Sequence, residues 1–212
     1  MNNNITEMVF ILDRSGSMGG LESDTIGGFN SMINKQKKEE GTALVTAVLF
    51  SNKAEFLYDR VDLNDIPKMT EKEYCPGGST ALLDAVGSAI EHTEMIHRHI
   101  RKEDVPQNSI FIITTDGLEN SSSSFSYSQV KKMISAKEET GWKFIFVGAN
   151  IDAAAEAAKI GISRENSAEF SADREGVSRL FCGISSSIAS LRSTGSISKE
   201  WRDELSGRKK RK

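Results

Sequence analysis

The chain has 212 residues, 38% of them hydrophobic and 27% charged, and a formal net charge of -3; this describes one globular domain with a full core and excludes a disordered or fibrous chain. No apolar run is long enough to span a bilayer. The opening MNNNITEMVFILD lacks the basic segment and long apolar stretch of a secretory signal, so a cytoplasmic protein is expected, with Cys75 and Cys182 as reduced thiols.

Residues 8–12 form a short continuous apolar run, the pattern of a strand buried on both faces, and it ends on Asp13. Residues 21–38 read as a helix, with Ile26, Phe29, Met32 and Ile33 on one face and lysines near its end. Residues 43–50 and 54–58 are strands joined by Ser51-Asn52-Lys53, too short for a parallel crossover, so the second is antiparallel. Residues 61–73 read as a polar surface connection with one helical turn. A long helix is expected over 79–101, buried through Leu82, Val86, Ala89, Ile90, Thr93 and Ile96; His92, His97 and His99 lie on it without the spacing of a helical zinc site and read as surface residues.

Residues 109–115 form a further buried strand running into Asp116 and Gly117, and the serines at 121–124 read as a mobile loop beside it. A helix over 127–137, a strand over 142–147, an alanine-rich helix from Asp152 to Lys159, a short strand over 167–170 and a closing helix over 174–191 complete the body. This alternation predicts an α/β fold: a doubly wound, mostly parallel sheet of about six strands with one antiparallel edge strand and helices on both faces. Residues 1–194 form the domain. Residues 195–212 are an extension ending in GRKKRK, a solvated basic run that leaves the body acidic and unsuited to general nucleic-acid binding.

Candidate chemistry gathers at the carboxyl ends of the strands, where open α/β sheets bind ligands. Asp13, Ser15 and Ser17 alternate along a loop with Arg14 and Gly16 between them. One carboxylate and two hydroxyls are hard oxygen ligands of the kind Mg2+ takes; for this stretch alone, hydroxyls that cap the next helix are an equal alternative. Two distant segments favour the cation. Pro76-Gly77-Gly78-Ser79-Thr80 is a glycine-rich turn entering a helix, and SIFIITTD is a second apolar strand ending on an aspartate.

Together these resemble the von Willebrand factor A domain and its metal-ion-dependent adhesion site, a D-x-S-x-S loop followed by a threonine and an aspartate on two later loops. The matching positions are Asp13, Ser15, Ser17, Thr80 and Asp116. The resemblance spans roughly residues 5–188 and is nearest to the small single-domain members found in bacteria. It implies a metal-dependent protein-binding module in which some ligands act through water. The cation keeps an open position for a Glu or Asp of a partner. Mg2+ or Mn2+ fits such a site, Ca2+ less well for want of oxygens. A monomer that binds neither membrane nor nucleic acid is expected.

Enzymes are the rivals. Ser15 or Ser17 as an acyl nucleophile has no histidine at that edge. The glycines fit neither the phosphate loop nor the dinucleotide fingerprint. The remaining alternative is Mg2+-dependent phosphotransfer or phosphatase chemistry on Asp13, which wants a lysine and a second acid close by; the next acid along the chain is Glu22, inside the helix.

Overall fold

The structure is a computed structural model that describes residues 4–207, so the basic run at the end of the chain lies outside the described residues. The elements follow in the order β1 (Ile5–Asp13), α1 (Glu22–Gln36), β2 (Thr42–Phe50), β3 (Ala54–Asp62), α2 (Leu82–His99), β4 (Asn108–Thr115), α3 (Tyr127–Glu139), β5 (Lys143–Gly148), α4 (Ala153–Lys159), β6 (Ser167–Glu169), α5 (Arg174–Thr194) and α6 (Trp201–Leu205). One sheet runs β3-β2-β1-β4-β5-β6. Every neighbouring pair is parallel except β2 with β3. This is the predicted doubly wound sheet with its antiparallel edge.

β1 lies at the centre, and its two faces feed two cores. Met8, Phe10 and Leu12 pack with Phe29, Met32 and Ile33 of α1 and with Val177, Leu180, Ile184 and Ile188 of α5. Val9 and Ile11 pack with α2, α3 and α4 on the other side. Both faces of β1 are therefore apolar, as its continuous apolar run requires. Among the described residues no helix is long and apolar enough to cross a membrane.

Five expectations need correction. β3 is nine residues long, not five. It shifts register against β2 near Ala47, and Arg60 takes a positive φ of 51° there. The connection after it is no polar surface stretch, because Leu63, Ile66, Met69 and Tyr74 are buried. α2 starts at Leu82, since Ser79 and Thr80 stay non-helical in the turn that enters it. His97 is not a surface residue. Its Nε2 meets Glu7 Oε2 at 2.5 Å while Arg60 Nη1 holds Glu7 Oε1 at 2.7 Å, and Glu7 is fully buried in β1.

The serine run at 121–124 is also fastened, so the mobile-loop reading gives way. Asp84 accepts backbone N–H groups from Ser123, Ser124 and Phe125 at 2.9–3.0 Å. Burial works against that carboxylate, and the three N–H groups outweigh it, holding its pKa below the ordinary value. Glu119 accepts from Ser121 N, Ser122 N, Ser122 Oγ and Leu83 N.

α1 and α5 pack closely because glycine faces bulk: a Cβ at Gly28 would lie 2.2 Å from the Phe181 ring. Residues after α5 turn back onto it. Trp201 of α6 is 1% exposed, and a Cβ at Gly183 would lie 2.2 Å from Leu205 Cδ1 and 2.8 Å from the Trp201 carbonyl oxygen. Gly183→Ala should therefore push α6 off its seat at a cost of about 1–3 kcal/mol. In a Trp142→Phe background, Trp201 emission should move to longer wavelength. An unchanged emission maximum would mean that α6 shifts enough to accept the methyl.

Candidate metal centre

Asp13 is the last residue of β1, and Thr115 the last of β4. The parallel register pairs Leu12 with Thr114, so the next step sets Asp13 beside Thr115. The Thr115 hydroxyl donates to Asp13 Oδ2 at 2.6 Å, and the Ser15 N–H donates to Asp13 Oδ1 at 2.7 Å. The Tyr74 hydroxyl donates to the Asp13 carbonyl oxygen from behind. Burial pushes the Tyr74 phenol up, and the Asp13 charge adds to the rise, so it stays a donor at all ordinary pH.

Past Asp13 the chain makes a short 3-10 turn, Gly16–Met18, with Ser15 at its N-cap position. Neither this turn nor α1, whose N-cap is Leu21, has a side-chain cap hydrogen bond. The capping alternative for Ser15 and Ser17 therefore does not describe these hydroxyls. They turn toward each other, with Oγ atoms 3.1 Å apart, and Ser17 Oγ donates to Asp116 Oδ1 at 2.6 Å.

The loop before α2 is tied to this turn at both ends. Gly77 N donates to the Arg14 carbonyl oxygen at 2.9 Å, and Gly16 N to that of Gly78 at 3.1 Å. Gly78 has a φ of +82°, and a Cβ there would lie 2.5 Å from Asn52 Oδ1, the atom that accepts Ser79 N and Ser79 Oγ, both at 2.6 Å. Only glycine meets both demands. Thr80 is then held by Asn120: Thr80 N donates to Asn120 Oδ1 at 2.9 Å, and Asn120 N to the Thr80 carbonyl oxygen at 3.1 Å. A Cβ built on Gly117 would sit 3.6 Å from Thr80 Oγ1 and 3.7 Å from Ser17 Oγ, so both hydroxyls face one small space over the bare glycine.

The structure thus brings Asp13, Ser15, Ser17, Thr80 and Asp116 to one place. Asp13, Ser15, Thr80 and Asp116 are buried, and Ser17 stands at the exposed side. Among the fully buried side-chain oxygens of these five residues, Asp116 Oδ2 has no hydrogen bond. Burial raises the Asp116 pKa above its ordinary value; the Ser17 hydroxyl opposes this, and the nearby Asp13 charge reinforces it. A buried carboxylate oxygen with no donor, beside a second carboxylate and three hydroxyls, fits a hard divalent cation. Among the described residues no three His, Cys, Asp or Glu gather as a metal-binding group, so the fit rests on mixing carboxylates with hydroxyls.

The sequence alone does not single out Thr115, Tyr74, Asn120 or Asn52. Thr115 and Asn120 flank the Asp116 turn in TTDGLEN, which is the one signal available for them; Tyr74 and Asn52 act only through the folded chain.

No protein-family model matches the chain, and no curated protein matches its sequence. Solved structures match it in fold. Proximal thread matrix protein 1 from the mussel byssus aligns over 85% of this chain with a TM-score of 0.61 and 18% identity, and the match covers 45% of that protein's chain. Another structure of the mussel protein carries zinc in its MIDAS motif. A manganese-loaded TRAP protein of Plasmodium vivax aligns over 80% of this chain and 69% of its own, with a TM-score of 0.55 and 16% identity. A von Willebrand factor type A protein of Catenulispora acidiphila aligns over 86% of this chain and 42% of its own, with a TM-score of 0.59 and 16% identity. The chain spans less than half the length of the mussel and Catenulispora chains it matches.

Proposed function

We propose that this chain, which has the von Willebrand factor A fold, is a metal-dependent protein-binding module. The observation that carries the reading is the partnerless Asp116 Oδ2 at the meeting point of Asp13, Ser15, Ser17 and Thr80. Structural neighbours loaded with zinc and manganese support a divalent cation here, and Mg2+ is the ion this oxygen set suits best. Those five residues would hold it. A bound ion would supply positive charge to attract a Glu or Asp of a protein partner.

The chain's own residues prepare that event. Thr115 and the Ser15 N–H fix the Asp13 carboxylate, and Ser17 orients Asp116. The anchored loops set the hydroxyls in advance, which lowers the ordering cost on binding. The same bonds hold the Asp13 carboxylate still, and each of its oxygens keeps a further lone pair for a cation. Against phosphoryl transfer to Asp13, Glu22, the next acid along the chain, already spends Oε2 on Gly20 N at 2.8 Å. A generic aryl phosphate with Mg2+ should give no turnover above that of Asp13→Ala.

Metal binding has its own readout. Mg2+ binds the folded arrangement and not the unfolded chain, so it stabilises by mass action. For an affinity of about 1 mM, about 10 mM Mg2+ contributes on the order of 1.4 kcal/mol, or roughly 3–6 °C in melting temperature for a domain of this size. Asp13→Asn relieves the repulsion with Asp116, so without metal it should melt no lower than the wild type. With Mg2+ it should barely move. Scanning fluorimetry of both proteins in EDTA and in Mg2+ gives the four values; equal Mg2+ shifts would remove the metal centre from the reading. Partner capture should then be lost both in EDTA and in Asp13→Ala.

A further inference from the structure

The residue that follows the Asp116 turn is out of character with its surroundings. Leu118 is 54% exposed, the most exposed large apolar side chain among the described residues. Single exposed leucines are ordinary on protein surfaces. This one differs in how it is held. Gly117 before it is fixed through Thr115, whose Oγ1 accepts the Gly117 N–H at 3.3 Å. Glu119 after it has both carboxylate oxygens engaged by donors from Leu83, Ser121 and Ser122, and Asn120 is bound to Thr80 twice. The backbone on either side is therefore anchored, and Leu118 cannot fold back into the core without breaking these bonds. It is presented one residue from Gly117, the bare glycine that overlies Thr80 Oγ1 and Ser17 Oγ.

The charges at the same rim limit what can approach. Arg14, between Asp13 and Ser15, is already engaged by Glu55 Oε2 at 2.6 Å and the Glu73 carbonyl oxygen at 3.3 Å. The Glu73 carboxylate is itself engaged by the Thr70 N–H and hydroxyl at 2.8 and 2.6 Å. Glu22, the first residue of α1, accepts the Gly20 N–H with Oε2 at 2.8 Å, which sets its carboxylate at the end of the loop that carries Ser15 and Ser17. A cation in the centre would neutralise the two buried aspartates and leave Glu22 as surplus negative charge. An incoming segment is attracted at one point, the metal, and repelled around it.

Resting on the metal-dependent reading above, we propose that Leu118 determines specificity at this site, and that the partner is a protein segment with one lone carboxylate flanked by an apolar side chain. The carboxylate completes the cation's shell, and the neighbouring apolar side chain covers Leu118. A polyacidic tract is rejected, because its second acid meets Glu22 without a cation to offset it. An apolar anchor on an anchored loop beside a charged contact is the arrangement that concentrates binding energy in a few residues.

The test is selection of displayed random peptides on the immobilised protein in millimolar Mg2+, with sequencing of the bound pool, in parallel on wild type, Leu118→Ser and Asp13→Ala. The expected wild-type pool is enriched in a single Glu or Asp at a fixed short spacing from an aliphatic or aromatic residue. The Leu118→Ser pool should keep the acid and lose the apolar preference. A wild-type peptide should bind Leu118→Ser about five- to tenfold more weakly by fluorescence polarisation. Leu118→Ser should retain the full Mg2+ melting shift, which separates loss of the apolar contact from damage to the centre. Enrichment of an acid with no apolar neighbour, or of runs of acids, overturns the role of Leu118 and leaves the metal reading standing. A pool without any acid, equal on wild type and Asp13→Ala, overturns the metal reading as well.

Discussion

Arg192→Ala should cost about 3–5 kcal/mol of folding stability, a fall of roughly 6–20 °C in melting temperature. Arg192 lies near the end of α5, and its guanidinium is buried against the end of α1. Nη1 donates to the Gln36 carbonyl oxygen at 2.7 Å and to Gln36 Oε1 at 3.2 Å. Nη2 reaches the carbonyl oxygens of Glu39, Glu40 and Gly41 at 3.2, 3.0 and 2.9 Å. Gln36 is the last residue of α1 and Glu39, Glu40 and Gly41 form the turn that follows, so one planar fork ties the helix end to the turn leading into β2. Alanine leaves the buried Gln36 carbonyl and amide oxygens without this donor and cuts the turn loose from α5. Arg192→Lys should recover less than half of the loss, because an ammonium is a point charge without the fork. Chemical denaturation with an unchanged m-value checks both variants. A loss under about 1 kcal/mol for alanine would mean that water replaces the fork.

Arg60→Met should destabilise by a similar amount, about 3–5 kcal/mol, for a different reason. It leaves Glu7, which is fully buried, with His97 as its remaining side-chain partner. The cluster is built from three elements: Glu7 on β1, Arg60 on β3 and His97 on α2, whose ring meets Trp142 edge-on at 5.3 Å between centroids. A buried charge that loses its partner costs more than the intact pair contributes. Glu7→Leu combined with Arg60→Met should therefore be more stable than Arg60→Met alone, a coupling of at least about 1.5 kcal/mol in a double-mutant cycle. Additive losses would place the worth of Arg60 in packing and not in its charge.

These two clusters also mark where sequence reasoning stops. The sheet is legible because β1, β4 and β5 are short apolar runs and the loop between β2 and β3 is too short for a crossover. The five oxygen-bearing residues are legible because they fall in patterned loops at strand ends. Glu7 is not, since nothing in ITEMVF says that a glutamate inside a buried strand will find an arginine from β3 and a histidine from α2. His97 reads as surface for the same reason: its partner is 90 residues away. Arg192 looks like any charge near a helix end until α5 is laid across α1. The serine run reads as mobile because serines alone are; Asp84 and Glu119, which fasten it, show their role only when their carboxylates are seen to accept backbone N–H groups. Thr115 reads as the end of a core strand, and only the register puts its hydroxyl on Asp13.

The edges of the sheet carry a consequence for crowded solutions. An open strand edge is a template on which further chains can add. One edge here is β6, only three residues long. The other is β3, nine residues long, with Glu55, Asp59 and Asp62 along it. The register shift against β2 and the left-handed Arg60 bend that strand partway along its length. A second copy laid against it meets like charges and a ribbon that is not straight. Irregular pairing and carboxylates are devices by which natural sheets avoid stacking into fibres. The bulge that sets Arg60 beside Glu7 therefore also works against strand addition along the longer of the two sheet edges among the described residues.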